Sequence, residues 1–240
     1  FLSPIGYNRG VWPIMLSGKS KRTIADVERA LRGPLPGWQA QQRMATRPRV
    51  LSEDAIRRRP PREGAVLVLL YPRQAELYLI LTLRSDRLAN HRGQISLPGG
   101  AREEKDISLW DTALREAQEE LALDPGQVRY IGALTPLYIP SSNFNVHPFV
   151  GYMPSRPHLV PNTAEVAQII ELPLHLLLDP RAKHEESWRW EERQLQVPFY
   201  RYGEHIIWGA TAMMLSELEV LLNGQGREPA DSVADEETGG

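Results

Sequence analysis

Two long apolar runs separated by a short polar segment limit the folds open to this sequence more than any other feature. The runs are AVLVLLY (65–71) and LYLILTLR (77–84), and PRQAE lies between them. Unbroken apolar runs of this length, bounded by turn residues, are typical of buried strands. Two such strands joined by a short turn form a β-hairpin. The sequence therefore predicts a buried hairpin against which the rest of the chain must pack.

The remaining patterns predict more strands than helices. Strands are predicted over residues 128–134, 145–153 and 166–172, followed by a two-stranded ribbon around Tyr202-Gly203. Helices are predicted over IADVERALRG after the N-cap candidate Thr23, over 108–121, over PLHLLLD and over 210–224. The strands do not alternate strictly with the helices, which argues against a doubly wound parallel sheet. We expect an α+β fold, with a mixed β-sheet sandwiched between helices.

Composition divides the chain into three parts. Residues 1–63 form an N-terminal extension, with one short helix and a proline-broken segment, PLPGWQAQQRMATRPR, expected to pack on the main domain. The main domain spans residues 64–224. Arg57, Arg58 and Arg59 mark the boundary before it and are read as a solvated edge rather than a phosphate site. The tail, 225–240, is acidic and poor in apolar residues, and we expect it to be disordered.

The overall composition excludes several classes of protein. The chain has 240 residues, 42% of them hydrophobic, and its net charge of −2 provides no general attraction for nucleic acid or an anionic membrane. No apolar run approaches the roughly 20 residues of a membrane span. The absence of cysteine excludes disulfides, thiolate zinc sites and a cysteine nucleophile, and suits the cytoplasm. The expected partner is a small molecule; a homodimer remains open.

The residues that indicate chemistry lie between positions 99 and 123. On the predicted helix, Glu116, Glu119 and Glu120 occupy positions i, i+3 and i+4, so their carboxylates project from one face. Mg²⁺ or Mn²⁺ would relieve the repulsion among them, because both ions prefer oxygen ligands. The alternative is a solvated acidic helix, since glutamate is a good helix former. The preceding Gly99-Gly100 turn allows close approach to a ligand and favours a metal site.

This segment resembles the motif of the Nudix hydrolase family. Arg115, Glu116, Glu119 and Glu120 match the motif's core, and the resemblance covers roughly residues 64–223. It implies a metal-dependent enzyme that hydrolyses the pyrophosphate bond of a nucleotide derivative. The sequence departs from the motif in three ways: Ile107 replaces a glutamate, with Asp106 as the nearest acid; Ala122 replaces a glycine; and the spacing from Gly100 to Arg115 is one residue longer.

A second block is similar to one found in coenzyme A pyrophosphatases. That block reads LLTxRS, an arginine, a glycine and FPGG, and this chain has LTLRSDRLANHRGQISLPGG over residues 81–100. Ala89 replaces an arginine, for which Arg87, His91 or Arg92 could substitute, and Leu97 replaces phenylalanine. The resemblance implies cleavage of coenzyme A to 3',5'-ADP and 4'-phosphopantetheine. The alternatives are another nucleoside diphosphate derivative, an oxidised nucleotide, or a sensing module without turnover, which would not need the metal ligands.

The resemblance also implies roles for individual residues. Arg115 orients the carboxylates by pairing with Glu119 or with an acid in the loop, and one glutamate, or a carboxylate from elsewhere, is the general base. Arg84 is the first candidate for contact with substrate phosphate, including the 3'-phosphate of coenzyme A. The implied metal ligands are Glu116, Glu119, Glu120 and the Gly100 carbonyl, and the implied substrate-binding residues are Arg84, Ser85, Gly93 and Gly99.

Some residues admit both a structural and a functional interpretation. His147 lies within a predicted strand and is expected to be a hydrogen-bonded polar residue rather than a ligand. Core packing is favoured over adenine stacking for the tryptophans Trp188, Trp190 and Trp208. A loop before the strand at 145 carries Ser141, Ser142 and Asn143, which could line a pocket.

Overall fold

The structure is a computed structural model and describes residues 22–48, 60–85, 93–190 and 193–224. Its helices are α1 (Ile24–Leu31), α2 (Trp38–Gln41), α3 (Leu109–Leu121), α4 (Leu174–Leu177) and α5 (Gly209–Gly224). Its strands are β1 (Arg62–Arg73), β2 (Glu76–Arg84), β3 (Ile95–Ser96), β4 (Gly99–Ala101), β5 (Arg129–Ala133), β6 (Leu137–Ile139), β7 (Phe144–Tyr152), β8 (Val166–Pro173), β9 (Lys183–Trp190), β10 (Arg193–Tyr202) and β11 (His205–Trp208).

The predicted hairpin is formed by β1 and β2, which pair antiparallel from Leu70↔Leu79 to Arg73↔Glu76. Its turn contains only Gln74 and Ala75, both with left-handed φ values of 51° and 60°. The predicted five-residue turn was therefore too long. Two-residue hairpin turns usually carry asparagine or glycine at such positions, so Gln-Ala provides no local signal for one.

The main sheet has eight strands and is mixed, as predicted. β1 pairs antiparallel with β2 and β4 and parallel with β7, while β8 and β3 pair with β2. β5 and β6 continue the sheet beyond β7. Three of these strands, β3, β4 and β6, were not predicted. Each has two or three residues, too few to show a period-two pattern.

Apolar residues cover both faces of the sheet. Leu67, Leu69 and Tyr71 of β1 pack in a core with Ala117 and Leu121 of α3. The alternate residues of β1, Val68 and Leu70, belong to a second core that includes α5 and α1. Burial on both faces explains why the β1 sequence is apolar without interruption, since a strand with one solvated face would alternate. The cores place α3 on one side of the sheet and α5 on the other.

A buried carboxylate connects α5 to the described part of the N-terminal extension. Glu217 accepts hydrogen bonds from the Gly37 N–H (3.1 Å) and from Gln41 Nε2 (3.0 Å). Thr135, before β6, donates to the same carboxylate from its N–H (3.1 Å) and Oγ1 (2.6 Å). Ser216 Oγ donates to the Ala40 carbonyl at 2.9 Å. Residues 37–41 are thus held against α5 by polar contacts.

The region after α4 differs from its prediction. The predicted two-stranded ribbon is a three-stranded antiparallel sheet in the order β11-β10-β9. The turn at Tyr202-Gly203 is present, and Tyr202 pairs with His205. The additional strand, β9, starts at Lys183. Its sequence is mostly charged or polar before the buried Trp188, so it shows no apolar pattern that would predict a strand.

The predictions for residues 1–21, Arg57–Arg59 and the tail at 225–240 fall outside the described residues. No helix of the described ranges is long and apolar enough to cross a membrane.

Candidate active site

Helix α3 carries the acidic residues and is anchored at its start by a capping box. The Ser108 hydroxyl accepts from the Asp111 N–H, and the Asp111 carboxylate accepts from the Ser108 N–H at 2.9 Å. These contacts satisfy backbone groups that the first turn would otherwise leave unpaired. Ala113 and Ala117 are small and completely buried against the sheet. Their size lets α3 approach β1 and β4 closely, which brings its carboxylates to the edge of the sheet.

Glu120 is the most buried of these carboxylates, with only 3% of the residue exposed. Within the described residues its Oε2 atom is buried and has no hydrogen-bond partner. Burial above all, together with the charges of Glu116 and Glu165, raises the pKa of Glu120 to about 8, although Arg84 and the Gly99 backbone oppose the rise. An acid in this environment is costly to ionise unless a cation compensates it.

Glu116 lies one turn earlier and is half-buried, with Gly100 directly against its carboxylate. A Cβ on Gly100 would lie 2.5 Å from the Glu116 Cδ, so any side chain there would displace the Glu116 carboxylate. Gly99 is equally restricted: its φ is 153°, and a Cβ would lie 2.3 Å from the Ala65 carbonyl oxygen. Burial raises the pKa of Glu116 above its ordinary value. The two glycines therefore allow strand β4 to pass directly beside two partly desolvated carboxylates.

Arg115 links the loop before α3 to the acidic face. Its Nε and Nη2 donate to Asp106 at 2.9 and 3.1 Å, and Nη2 also donates to the Ala101 carbonyl at 2.9 Å. Nη1 lies 2.9 Å from Glu116 and 3.1 Å from Glu119. Both expected partners of Arg115, the acid in the loop and Glu119 at i+4, are thus present. These hydrogen bonds hold the pKa of Asp106 well below its usual range.

Glu119 differs from the other two glutamates. Its side chain is 48% exposed and lies between Arg115 and Lys105, whose Nζ is 3.8 Å away. Across the residues that the structure describes, no three acidic or histidine side chains converge into a ready-made chelate. The shared helical face brings Glu116 and Glu120 to the same buried edge, whereas it leaves Glu119 at the rim.

A further carboxylate, Glu165, belongs to the site and was missed by the sequence analysis. Its charge raises the pKa of both Glu116 and Glu120. Its position follows from the loop before β8, where the Asn162 N–H donates to the Glu120 carbonyl at 2.8 Å. The Ser85 N–H donates to the Glu165 carbonyl at 2.8 Å. An asparagine turn before a strand is visible in the sequence, but only the pairing of β8 with β2 places Glu165 beside α3.

Two of the four predicted substrate-binding residues lie at the site, and the other two do not line its pocket. Arg84 ends β2 and faces Glu120, whose pKa its charge lowers, and its Nε is buried without a hydrogen-bond partner among the described residues. Gly99 is also at the site. Ser85 is buried, and Gly93 closes the turn back to β2 by donating to the Arg84 carbonyl at 3.2 Å. Neither of these two residues lines the pocket described next.

A pocket of about 340 Å³ adjoins the carboxylates through residues that contact Glu116 or influence Glu120, although none of the described glutamates lines it. Arg84, Gly99 and Gly100 contribute to its wall, and the loop residue Ser142 and Trp208 of β11 line it as well. The remaining wall is mostly apolar and comes from β1, β3, β6, β7 and α5: Val66, Gln94, Ile95, Ser96, Leu97, Ile139, Phe144, Val146, Gly209, Ala210, Thr211 and Met214.

The structure shows the surroundings of Trp188, Trp208 and His147, for which the sequence allowed both a structural and a functional interpretation. Trp188 is buried in a small core with Val197 and Phe199, as expected, and Trp208 packs edge-on against it at 5.3 Å between ring centroids. His147 Nε2 lies 2.6 Å from Glu63, so it is a hydrogen-bonded polar residue, as predicted. Arg87, Ala89, His91 and Arg92, and the side chain of Trp190, lie outside the described residues.

Comparison with known proteins identifies the family of this site. A family model of the NUDIX domain matches residues 61–194, more than half of the chain. The chain belongs to the Nudix family. It is 41% identical over 140 residues to the uncharacterized Nudix hydrolase NudL of Photorhabdus laumondii, covering 58% of this chain and 74% of that protein.

Two further Nudix proteins extend the comparison. Nudix hydrolase 15, mitochondrial, of Arabidopsis thaliana is 35% identical over 171 residues, covering 69% of this chain and 60% of that protein. Among solved structures, the Nudix hydrolase RenU of M. smegmatis is 21% identical with a TM-score of 0.41, covering 48% of this chain and 71% of that one. The family model and the two sequence relatives show that the chain is a Nudix hydrolase.

The structure explains two departures from the Nudix motif. Ile107, at the motif's glutamate position, is 91% exposed, while Asp106 turns inward to Arg115 and also accepts from Thr112 Oγ1 at 2.9 Å. The loop acid that pairs with Arg115 is therefore Asp106, one residue before the motif's glutamate position. Ala122, at a glycine position, caps α3 with a left-handed φ of 53°. Glycine adopts this conformation without strain, so alanine costs about 1 kcal/mol here.

The donor set fits the divalent cation that Nudix hydrolases generally require. The buried Oε2 of Glu120 has no partner in the described part of the chain, and burial raises the pKa values of Glu116 and Glu120 despite the nearby Arg115 and Arg84. Carboxylate and carbonyl oxygens are the donors that Mg²⁺ and Mn²⁺ prefer. A cation at this edge would satisfy the unpaired oxygen and offset the repulsion between the two carboxylates.

Proposed function

We propose that this Nudix hydrolase cleaves the diphosphate bond of coenzyme A or its derivatives, releasing 3',5'-ADP and (acyl-)4'-phosphopantetheine. The observation that carries the proposal is the position of the block at residues 81–100. Its two ends supply Arg84 from β2 and Gly99 with Gly100 from β4, and all three contribute to the wall of one pocket beside Glu120. The described ends of the block that resembles coenzyme A pyrophosphatases thus contribute to the candidate site, which supports the proposal.

Glu116 and Glu120, with the Gly100 carbonyl as a further candidate, would hold Mg²⁺ or Mn²⁺. When bound, the cation supplies charge neutralisation on the diphosphate and polarises the phosphorus that water attacks. Glu119 remains a candidate ligand, because its exposed side chain can rotate away from Lys105. Arg115 fixes the position of Glu116 through its contacts with Asp106 and Ala101. These contacts leave the carboxylates little freedom, which favours a preorganised site.

Two residues outside the motif complete the proposed chemistry. Glu165 is the candidate proton acceptor for the attacking water, because it lies close to both buried glutamates and comes from a different element. Arg84 is placed to bind the diphosphate, since a guanidinium can donate two hydrogen bonds to one phosphate group. Its position beside Glu120 favours the diphosphate as its partner over the distant 3'-phosphate. Arg87 and Arg92 stay candidates for the 3'-phosphate.

Product analysis tests the proposed function. The purified protein is incubated with Mg²⁺ or Mn²⁺ and with coenzyme A, dephospho-coenzyme A, ADP-ribose, a dinucleoside polyphosphate or a nucleoside triphosphate in parallel. We expect coenzyme A or an acyl derivative to have the highest kcat/KM, with 3',5'-ADP as a product. A higher kcat/KM for ADP-ribose or a triphosphate would favour another nucleotide substrate. Binding without turnover of any substrate would favour the sensing module.

The Arg84→Ala variant separates the two phosphate assignments. If Arg84 binds the diphosphate, kcat/KM falls for coenzyme A and dephospho-coenzyme A by the same factor, about 10- to 100-fold for a charge-assisted contact. If it reads the 3'-phosphate, only the preference between the two substrates changes. Circular dichroism of the variant controls for folding.

A further inference from the structure

The described wall of the pocket beside the site carries few charged side chains. Arg84, at the side of the carboxylates, is the one cationic residue among the described residues that line it. Much of the remaining wall is formed by apolar side chains such as Ile139, Phe144 and Met214. One polar residue there, Thr211, already donates its hydroxyl proton to the Ile95 carbonyl at 3.0 Å. The described wall of the pocket therefore combines one cation, Arg84, with a largely apolar surface.

This distribution discriminates between the two halves of the proposed substrate. The adenosine half of coenzyme A carries an additional phosphate, and an ionised group is strongly disfavoured in an apolar pocket without a paired charge. The pantetheine half has no charge beyond the diphosphate. One CH₂ group separates its phosphate oxygen from a carbon that bears two methyl groups, and it continues as a flexible chain. A flexible methionine and branched aliphatic side chains can pack around such a group.

We propose that the pocket binds the uncharged, chain-like pantetheine half of the substrate, with Arg84 holding the diphosphate at its mouth. This assignment rests on the proposed coenzyme A activity. It leaves the adenosine half, with its 3'-phosphate, outside the pocket. The volume of about 340 Å³ lies within the range of small-molecule sites, roughly 300–1,000 Å³.

Two isoleucines provide a matched test. Ile139 of β6 and Ile131 of β5 are both part-buried strand residues packed against the same core, but only Ile139 lines the pocket. The variants Ile139→Ala and Ile131→Ala are compared by the KM for coenzyme A and by inhibition with 4'-phosphopantetheine and with 3',5'-ADP. A third variant, Ala210→Phe, adds bulk to the pocket wall.

We expect Ile139→Ala to raise the KM and the inhibition constant for 4'-phosphopantetheine about 4- to 15-fold, the loss of one to two buried methylene contacts. The inhibition constant for 3',5'-ADP should stay unchanged. Ala210→Phe should likewise affect inhibition by 4'-phosphopantetheine but not by 3',5'-ADP. Ile131→Ala should have the same KM and inhibition constants as the unmodified protein. A selective effect on 3',5'-ADP would overturn the assignment, as would equal effects of Ile139→Ala and Ile131→Ala.

The same assays separate this inference from the proposed function. If the unmodified protein hydrolyses coenzyme A but neither pocket variant alters inhibition by 4'-phosphopantetheine, the pocket assignment fails and the activity stands. If the unmodified protein does not hydrolyse coenzyme A or its acyl derivatives, the proposed function fails, and the pocket assignment fails with it.

Discussion

Replacing Asp106 with asparagine tests whether this residue fixes the arginine of the Nudix motif. The Asp106 carboxylate accepts hydrogen bonds from Arg115 Nε and Nη2, from Thr112 Oγ1 and from the Glu103 N–H, all between 2.9 and 3.1 Å. Its side chain is 3% exposed. Asparagine keeps the shape but loses the charge and presents an NH₂ group to a donor. Removing one partner of a buried ion pair costs about 3–5 kcal/mol.

Activity should fall as well, because Arg115 then loses its buried charged partner, and its charge is balanced only by exposed Glu103 and by Glu116 and Glu119 of the active face. Loss of a residue that orients metal ligands typically costs about 10- to 100-fold in activity or metal affinity. The assays are urea denaturation for the free energy of unfolding and kcat/KM as a function of Mg²⁺ concentration. Asp111→Asn is the matched control, since Asp111 caps the same helix, and its loss should cost only about 1 kcal/mol.

The pH dependence follows from the lowered pKa of Asp106. A carboxyl with a lowered folded-state pKa stabilises the protein above its unfolded pKa of about 4, and this contribution is lost as pH falls further. The difference between wild type and Asp106→Asn should therefore be greatest near pH 7 and shrink below pH 4. Adding Ile107→Glu should not restore the variant, because residue 107 faces solvent. Equal stability and activity of wild type and Asp106→Asn at pH 7 would refute the reasoning.

Four other perturbations have defined outcomes. Glu120→Gln should lower kcat by about 100-fold or more while leaving metal-free stability unchanged or increased, since glutamine keeps the shape of a buried carboxyl that is costly to ionise; near-normal turnover would exclude Glu120 from the mechanism. Glu165→Gln should lower kcat more than it raises the KM if Glu165 is the proton acceptor, and an unchanged kcat would contradict that role. Activity should require added divalent cation and rise toward alkaline pH, where water is deprotonated more easily; full activity in excess chelator would exclude the metal mechanism. Glu217→Gln should cost about 2–4 kcal/mol and speed proteolysis within residues 34–48, because it disrupts a carboxylate with four donors; unchanged proteolysis would show that other contacts hold the extension.

Local patterns in the sequence determined the hairpin and the acidic helix. The apolar runs of β1 and β2 needed only their own composition to indicate burial, and the spacing of Glu116 and Glu120 needed only the helical repeat to put them on one face. Ser108 could cap α3 because its partner, Asp111, lies three residues away. In each case the interacting residues are near neighbours in the chain, so their geometry follows from a single element.

The tertiary structure decided how these elements combine into a site. The parallel pairing of β1 with β7 and the pairing of β8 with β2 join segments far apart in the chain, and the second pairing brings Glu165 to α3. The inward turn of Asp106 instead of Ile107 depends on the position of Arg115 across the loop. The pocket wall comes from seven strands, the connections between them and α5. Such long-range contacts depend on which elements pack together, and the periodicity of one segment carries no record of its distant partner.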